Sequence, residues 1–138
     1  MTRLLGVDFG TVRLGLAISD RDRKIASPLA TYARRSEAQD EQFFQRLVEM
    51  EEIGGLVVGL PIHNDGREGE KAVEARAYGQ WLHDVTKLPV VYYDERFTTV
   101  EAENYLVDAG LTRKSRKDRR DRVAAQILLQ SYIEAGCP

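Results

Sequence analysis

The sequence predicts an α/β fold in which helices cover both faces of a mixed five-stranded sheet. The order of elements is the first reason, because three strand-like segments come before a stretch in which helix and strand patterns alternate. The composition is the second reason. At 43% hydrophobic and 30% charged, the 138 residues can bury one core but carry too much charge for a membrane protein. We therefore expect a single domain over residues 1–138.

Five segments are short and rich in branched or aromatic apolar residues, a composition typical of β-strands. They are residues 3–9, 14–20, 27–33, 56–60 and 90–95. Gly10 and Thr11 separate the first two segments, which predicts a β-hairpin. The fourth segment is apolar throughout, which predicts a buried parallel strand.

Two helices are predicted between the third strand and the fifth. Ser36 can cap the first helix, whose apolar residues recur every three or four positions and which ends before Gly54. The second helix carries an apolar face that runs from Val73 to Val85. Residues 61–69, which contain an Asn-Asp-Gly turn signal, form a loop before it.

Two further helices are predicted after the fifth strand. Thr98 and Glu101 match the capping-box pattern, so a helix should run from Thr98 to Ala109. The last helix ends at Gly136. The residues that we expect on one side of it are Val123, Ala124, Ile127, Leu128 and Ser131.

Positive charge is concentrated in one segment of the chain. Residues 113–122 hold seven Lys or Arg against two Asp, whereas the formal net charge of the whole chain is −2. This pattern is typical of polyanion binders, although a solvated surface has the same pattern. The sequence shows no secretory signal, no membrane-spanning run and a single cysteine, Cys137, so we expect a cytoplasmic protein without disulfides.

Two carboxylates stand in predicted strands. Asp8 interrupts an apolar strand near the centre of the sheet, where an ionised group needs a cationic partner, a proton or a metal ion. Alternatively, Asp8 caps the turn at Gly10. Glu95 ends the fifth strand at the sheet edge where open α/β sheets bind ligands. Strand alternation sends Asp94 to the opposite face, and we select Glu95, although spacing alone does not decide between the two.

A third carboxylate, Asp121, stands at the start of the last helix. Asp118 lies three residues earlier on the same helical face, and either aspartate could cap the helix instead. If acids from separate elements meet, their oxygens suit Mg²⁺ or Mn²⁺, whereas two histidines and one terminal cysteine offer little to zinc. Such ions can activate water and stabilise the departing oxygen of a phosphodiester, so the cluster suggests a nuclease.

Four sequence motifs resemble those of the YqgF family, and together they cover essentially the whole chain. The first is the segment from Gly6 to Asp20. The later motifs follow in the family's order: Val58-Gly59-Leu60-Pro61 with Asp65-Gly66 and Glu68-Gly69, then Asp94-Glu95-Arg96-Phe97-Thr98-Thr99 with Glu101-Ala102, then Asp121 with Ala124-Ala125 and Ile127-Leu128.

The resemblance implies an RNase H-like fold related to the RuvC resolvases. It also implies a nuclease that trims the 5′ end of pre-16S rRNA or, in older descriptions, a Holliday junction resolvase. By matching position, Asp8, Glu95 and Asp121 would be the catalytic metal ligands. Asp118 is a candidate fourth ligand, because RuvC carries paired aspartates three residues apart and YqgF proteins usually show only the second. The expected partner is a structured RNA precursor or branched DNA.

Several residues are candidates for substrate binding. Gly10 and Gly15 would allow a tight turn and a close approach of a phosphate to the backbone beside Asp8. Cationic side chains near an acidic site would attract a polyanion, although surface ion pairs are the alternative explanation for them. The candidates are Gly10, Thr11, Arg13, Arg96, Thr99, Arg113, Lys114, Arg116 and Lys117.

Two other classes of function share parts of this pattern. The motif Asp8-x-Gly10-Thr11 also resembles the phosphate loop of actin and Hsp70 type ATPases, but those enzymes close two lobes and this chain can form only one. A non-catalytic nucleic-acid-binding module could use the same acids to hold a structural ion. The sequence does not decide between RNA and a DNA junction as the substrate, or between a monomer and a homodimer.

Overall fold

A five-stranded mixed sheet forms the centre of the computed structural model, which describes residues 1–98 and 120–138. The strands are β1 (Arg3–Asp8), β2 (Arg13–Ser19), β3 (Ala26–Ala33), β4 (Ile53–Leu60) and β5 (Val90–Asp94). Their order across the sheet is β3-β2-β1-β4-β5, so β1 is the central strand. β1, β2 and β3 pair antiparallel, whereas β4 runs parallel to both β1 and β5. The predicted mixed sheet is therefore confirmed.

Strand β4 is longer than predicted. It begins at Ile53, and Gly55 pairs with Leu4 of β1. We expected the two glycines at 54 and 55 to separate a helix from the strand. In the structure, the side chain of Thr2 occupies the space that a Cβ on Gly54 would need. Gly54 therefore serves close packing within the sheet rather than a break in it.

Helices cover both faces of the sheet. Helix α1 (Glu37–Met50) and helix α2 (Glu70–Thr86) lie on one face, and helix α3 (Arg120–Glu134) lies on the other. The predicted cap of α1 is present, because the Ser36 hydroxyl accepts a hydrogen bond from the backbone N–H of Gln39 at 3.2 Å. None of the helices among residues 1–98 and 120–138 is long and apolar enough to cross a membrane.

Two apolar cores hold the layers together. On the face of α1 and α2, Phe44 is fully buried, and Phe43 and Trp81 pack against that core. On the face of α3, the buried residues are Leu4, Ala17, Ala26, Val57, Ala125, Leu129 and Tyr132. Since side chains alternate along a strand, the same alternation that puts Leu4 under α3 puts Asp8 on that face.

The predicted apolar side of the last helix is partly wrong. Leu128 and Ser131 are buried as expected, but Val123, Ala124 and Ile127 are only half-buried. Ala125 and Leu129 face the sheet instead, and a Cβ on Gly6 of β1 would lie 2.9 Å from the Cβ of Leu129. The bare backbone at Gly6 thus sets which side of α3 makes contact, and helical periodicity alone does not show it. The helix predicted from Thr98 to Ala109 lies outside the described residues.

Candidate metal centre and active site

Asp8 ends the central strand between two positions that have no side chain. Gly15 of β2 is its antiparallel partner. On the other side, Val7 pairs with Val58, so Gly59 of β4 is the next neighbour of Asp8. Because neither glycine has a side chain, there is space on both sides of the Asp8 carboxyl group. Glu95 occupies the space over Gly59, and the backbone of Asp121 occupies the space over Gly15.

Glu95 reaches Asp8 across strand β4. It is the first residue of a short 3₁₀ turn (Glu95–Phe97) that follows β5 directly. A Cβ on Gly59 would lie 2.6 Å from Oε1 of Glu95, so the glutamate side chain lies over the bare backbone of Gly59. The carboxyl group of Glu95 therefore lies close enough to Asp8 to raise the pKa of Asp8.

Asp94 takes a different role from Glu95. Its Oδ1 accepts a hydrogen bond from the backbone N–H of Arg96 at 2.9 Å, and its Oδ2 pairs with Nη2 of Arg96 at 2.7 Å. This bonding lowers the pKa of Asp94 below its ordinary value. Asp94 thus caps the 3₁₀ turn, and the turn carries Glu95 towards Asp8.

Removing the charge of Asp94 should loosen the turn that carries Glu95. We expect Asp94→Asn to lower the free energy of unfolding by about 1 kcal/mol and the cleavage rate severalfold, because a charge-assisted pair becomes a neutral one. Asp65→Asn is a matched control, since Asp65 bonds to Arg67 with the same two-residue spacing in an exposed loop. Urea unfolding and initial cleavage rates measure both effects. A cleavage rate that falls equally in both variants would contradict this role of Asp94.

Asp121 enters the site from the opposite side. It is the second residue of α3, and its backbone carbonyl occupies the place where a Cβ on Gly15 would stand. Its Oδ2 lies 3.2 Å from Nε of Arg13, with which it forms an ion pair. The predicted substrate contact Arg13 is therefore bonded to a predicted metal ligand. Arg96, another predicted substrate contact, is bonded to Asp94.

The electrostatics of the site centre on Asp8. Burial, the charge and hydrogen bond of Glu95 and the charge of Asp121 together raise the pKa of Asp8 from 3.8 to about 8. Within residues 1–98 and 120–138, no three Asp, Glu, His or Cys side chains form a group that could hold a metal ion as they stand. Two of the predicted ligands are in contact, and the third lies within electrostatic range but is turned to Arg13.

A cavity of about 350 Å³ opens beside this cluster. The predicted substrate-binding residues Gly10 and Thr11 line it together with Asp8 and Glu95. The remaining predicted site residues lie outside the described part of the chain. They are Thr99, Arg113, Lys114, Arg116, Lys117 and Asp118.

Sequence reasoning missed the contribution of helix α2 to this cavity. Lys71 and Glu74 line it, and Lys71 also lines a neighbouring cavity of about 500 Å³ that extends to His63 and Arg96. Pro61, Lys71 and Glu95 line both cavities, so the two cavities are adjacent, and together we call them the groove. No motif marks Lys71, because only the path of the loop from Pro61 to Gly69 brings the start of α2 to the sheet edge.

A family model described as "RuvX: Holliday junction resolvase" matches residues 2–135. The chain belongs to the RuvX/YqgF family. Its relatives include a protein of Rhodopirellula baltica named "Putative pre-16S rRNA nuclease", which is 48% identical over 96% of this chain and 77% of its own length. The family resemblance and the nuclease class predicted from the sequence are thereby confirmed.

Solved structures confirm the predicted fold. Thermus thermophilus RuvC in complex with a Holliday junction substrate superposes with a TM-score of 0.65, over 98% of this RuvX-family chain and 95% of RuvC, at 15% identity. The fowlpox virus resolvase in complex with Holliday junction DNA superposes with a TM-score of 0.58, over 97% and 98% of the two chains, at 12% identity. At these identities the likeness shows the RNase H-like fold alone.

Proposed function

We propose that this protein is a metal-dependent nuclease that matures the 5′ end of pre-16S rRNA, with Asp8, Glu95 and Asp121 as its metal ligands. The contact between Asp8 and Glu95 in the centre of the sheet carries the proposal. Bringing two carboxyl groups together in a buried place is costly for folding, and it raises the pKa of Asp8 to about 8. A divalent cation would relieve that cost, so the arrangement suits a site built for one.

The donor set fits Mg²⁺ or Mn²⁺. Carboxylate oxygens are the ligands that these hard ions prefer, and they come here from a strand, a 3₁₀ turn and a helix. Asp8, Glu95 and Asp121 would hold the ion, and Asp121 is paired with Arg13 in the structure. When bound, the ion would activate a water molecule and stabilise the departing oxygen of the phosphodiester.

Side chains around the carboxylates would bind and orient the substrate. Asp8 lies at the end of the central strand of the sheet. Lys71 offers a cationic group in the groove next to Glu95, where a phosphate of the substrate would lie. The Arg13 guanidinium, which is paired with Asp121 in the structure, is a further cationic group beside the carboxylates and would bind a second phosphate.

The ribosomal RNA precursor is favoured over a DNA junction by the relatives. The protein named for pre-16S rRNA is 48% identical over nearly the whole chain, whereas RuvC is 15% identical. The alternative is a Holliday junction resolvase, which the description of the family model favours. That activity would need a two-fold dimer to cut two strands symmetrically, so the mass in solution separates the alternatives.

A cleavage assay tests the proposal. The protein is incubated with a 5′-extended 16S rRNA precursor or with a four-way DNA junction, in Mg²⁺, in Mn²⁺ and in EDTA. We expect cleavage of the RNA that requires either metal and that Glu95→Gln abolishes. Glu41→Gln, which changes an exposed acid on α1, should cleave at the parental rate. Cleavage of the junction alone would favour the resolvase, and binding without cleavage of either substrate would favour a non-catalytic module.

A further inference from the structure

Arg34 holds the turn that joins β1 to β2. This β1–β2 turn comprises residues 9–12. Nη1 of Arg34 donates hydrogen bonds to the backbone carbonyls of Gly10 at 3.3 Å and Thr11 at 3.2 Å. The backbone N–H of Arg34 donates to the carbonyl of Val12 at 2.9 Å. One residue at the end of β3 thus binds three consecutive carbonyls of the turn.

Two aromatic rings fix the Arg34 guanidinium in place. Its carbon Cζ lies 4.8 Å from the ring centre of Tyr78 and 5.4 Å from that of Phe9. Tyr78 is a residue of α2 whose side chain is buried in the core, and its ring packs against that of Phe9 with 5.2 Å between the ring centres. The two rings therefore fix the orientation of the guanidinium. Because the guanidinium is bonded to the carbonyls of the β1–β2 turn, it also fixes the conformation of that turn.

The bonds to Arg34 also orient the opposite side of the turn. In a planar trans peptide the N–H points away from the preceding carbonyl. The N–H groups of Thr11 and Val12 therefore point away from the guanidinium that binds the carbonyls of Gly10 and Thr11. Within residues 1–98 and 120–138, neither N–H has an acceptor. Thr11 is exposed and lines the cavity with Asp8 and Glu95.

We propose that Arg34 is a positioning residue that presents the N–H groups of Thr11 and Val12 to a non-bridging phosphate oxygen of the substrate. Successive N–H groups in a turn form a concave site for anions. Such donors are valuable beside Asp8 and Glu95, where a phosphate meets negative charge. Arg34 acts through the turn and does not touch the substrate itself. The inference rests on the proposed function, since it assigns the ligand to a substrate of that site.

The test compares Arg34→Gln with Arg34→Lys and with the control Arg35→Gln. Arg35 is the next residue, carries the same charge and lines a different cavity, together with Phe43 and Arg46 of α1. Binding of the 5′-extended RNA is measured by fluorescence anisotropy at several salt concentrations in the Glu95→Gln background. KM and kcat are measured in the parental background, at a temperature at which circular dichroism shows each variant folded.

We expect Arg34→Gln to weaken RNA binding and raise KM by about tenfold, with kcat changed less than about threefold. Because the lost donors are neutral N–H groups, the dependence of binding on salt should stay as in the parent. Arg34→Lys should recover only part of the affinity, since an ammonium cannot bind both carbonyls and lie flat on the rings. Arg35→Gln should bind and cleave within about twofold of the parent.

Three results would overturn the inference. Equal losses in Arg34→Gln and Arg35→Gln would show a general charge effect. A salt slope reduced by about one in Arg34→Gln would show that the guanidinium itself binds phosphate. A lower melting temperature with unchanged affinity and KM would show a structural role alone. If the parental protein cleaves nothing, the nuclease proposal fails, but the affinities still test Arg34.

Discussion

Replacing Asp8 by asparagine should abolish cleavage and, in the metal-free protein, raise the free energy of unfolding near pH 8. Turnover should fall by about three orders of magnitude or more, because the metal site loses its central ligand. Stability should rise because asparagine cannot ionise at this buried position next to Glu95 and Asp121, where burial and the two neighbouring acids raise the pKa of Asp8 to about 8. The loss of cleavage and the gain in stability have one cause. The site holds carboxylates close together, which serves metal binding but destabilises the folded protein without metal.

The pH dependence of that stabilisation has a definite sign. Below pH 3.8 the Asp8 carboxyl is protonated in the folded and the unfolded chain, so the substitution has little effect there. Between 3.8 and about 8 the unfolded chain releases the proton and the folded chain keeps it, so the parent loses stability as the pH rises. The advantage of Asp8→Asn should grow through this window to a few kcal/mol, on the order of what such a shift allows.

Urea unfolding at pH 4, 6 and 8 measures this difference, with Asp22→Asn as the control at an exposed acid. Mg²⁺ or Mn²⁺ should stabilise the parent at pH 8 and leave Asp8→Asn nearly unchanged, because binding to the folded state adds stability by mass action. A variant that is less stable than the parent at pH 8 without metal would contradict the account of this site.

Replacing Gly15 by alanine is expected to damage both stability and activity. The new Cβ would overlap the backbone carbonyl of Asp121 and approach the backbone nitrogen of Arg122 to 3.2 Å. Backbone cannot turn aside as a side chain can, so the first turn of α3 must move away from β2. We expect a loss of about 3 kcal/mol or more in the free energy of unfolding, the upper end for overpacking, and near-complete loss of cleavage.

Alanine substitutions at two other glycines distinguish the loss of stability from the loss of activity. Gly59→Ala would meet Oε1 of Glu95 at 2.6 Å and Cδ2 of Leu128 at 3.0 Å, which are both ends of flexible side chains. It should therefore lose activity with a smaller loss of stability. Gly55→Ala, whose Cβ would meet Cδ2 of Leu4 at 3.3 Å, should change either property little. Parental cleavage by Gly15→Ala or Gly59→Ala would show that close approach to β2 and β4 does not assemble the site.

Much of the fold follows from short-range patterns in the sequence. The strands and the described helices arise where local apolar spacing and capping agree, as Ser36 illustrates at the start of α1. The central position of Asp8 was predictable because the residues from Leu4 to Val7 and Phe9 are all apolar or glycine. The side of α3 that faces the sheet could not be predicted, because apolar residues occur on more than one side of that helix. Which side packs against the sheet depends on the missing side chain at Gly6.

The site itself depends on contacts between distant parts of the chain. Strand alternation could not separate Asp94 from Glu95, because the chain leaves the strand at Asp94 and enters a 3₁₀ turn. From the sequence, Arg13 could either bind substrate or form a surface ion pair, and nothing in the sequence identified Asp121 as its partner. Arg34 carries no signal in the sequence, because its role comes from the turn and the rings that β3 brings beside it.

We propose that Asp8, Glu95 and Asp121 bind one metal centre, and the decisive experiment is a crystal structure grown with Mn²⁺, with data collected at the manganese absorption edge. We expect an anomalous peak at coordinating distance from the carboxylates of Asp8, Glu95 and Asp121, with the ion pair between Asp121 and Arg13 broken. A fully occupied peak elsewhere, with Asp121 still paired with Arg13, would rule this metal centre out.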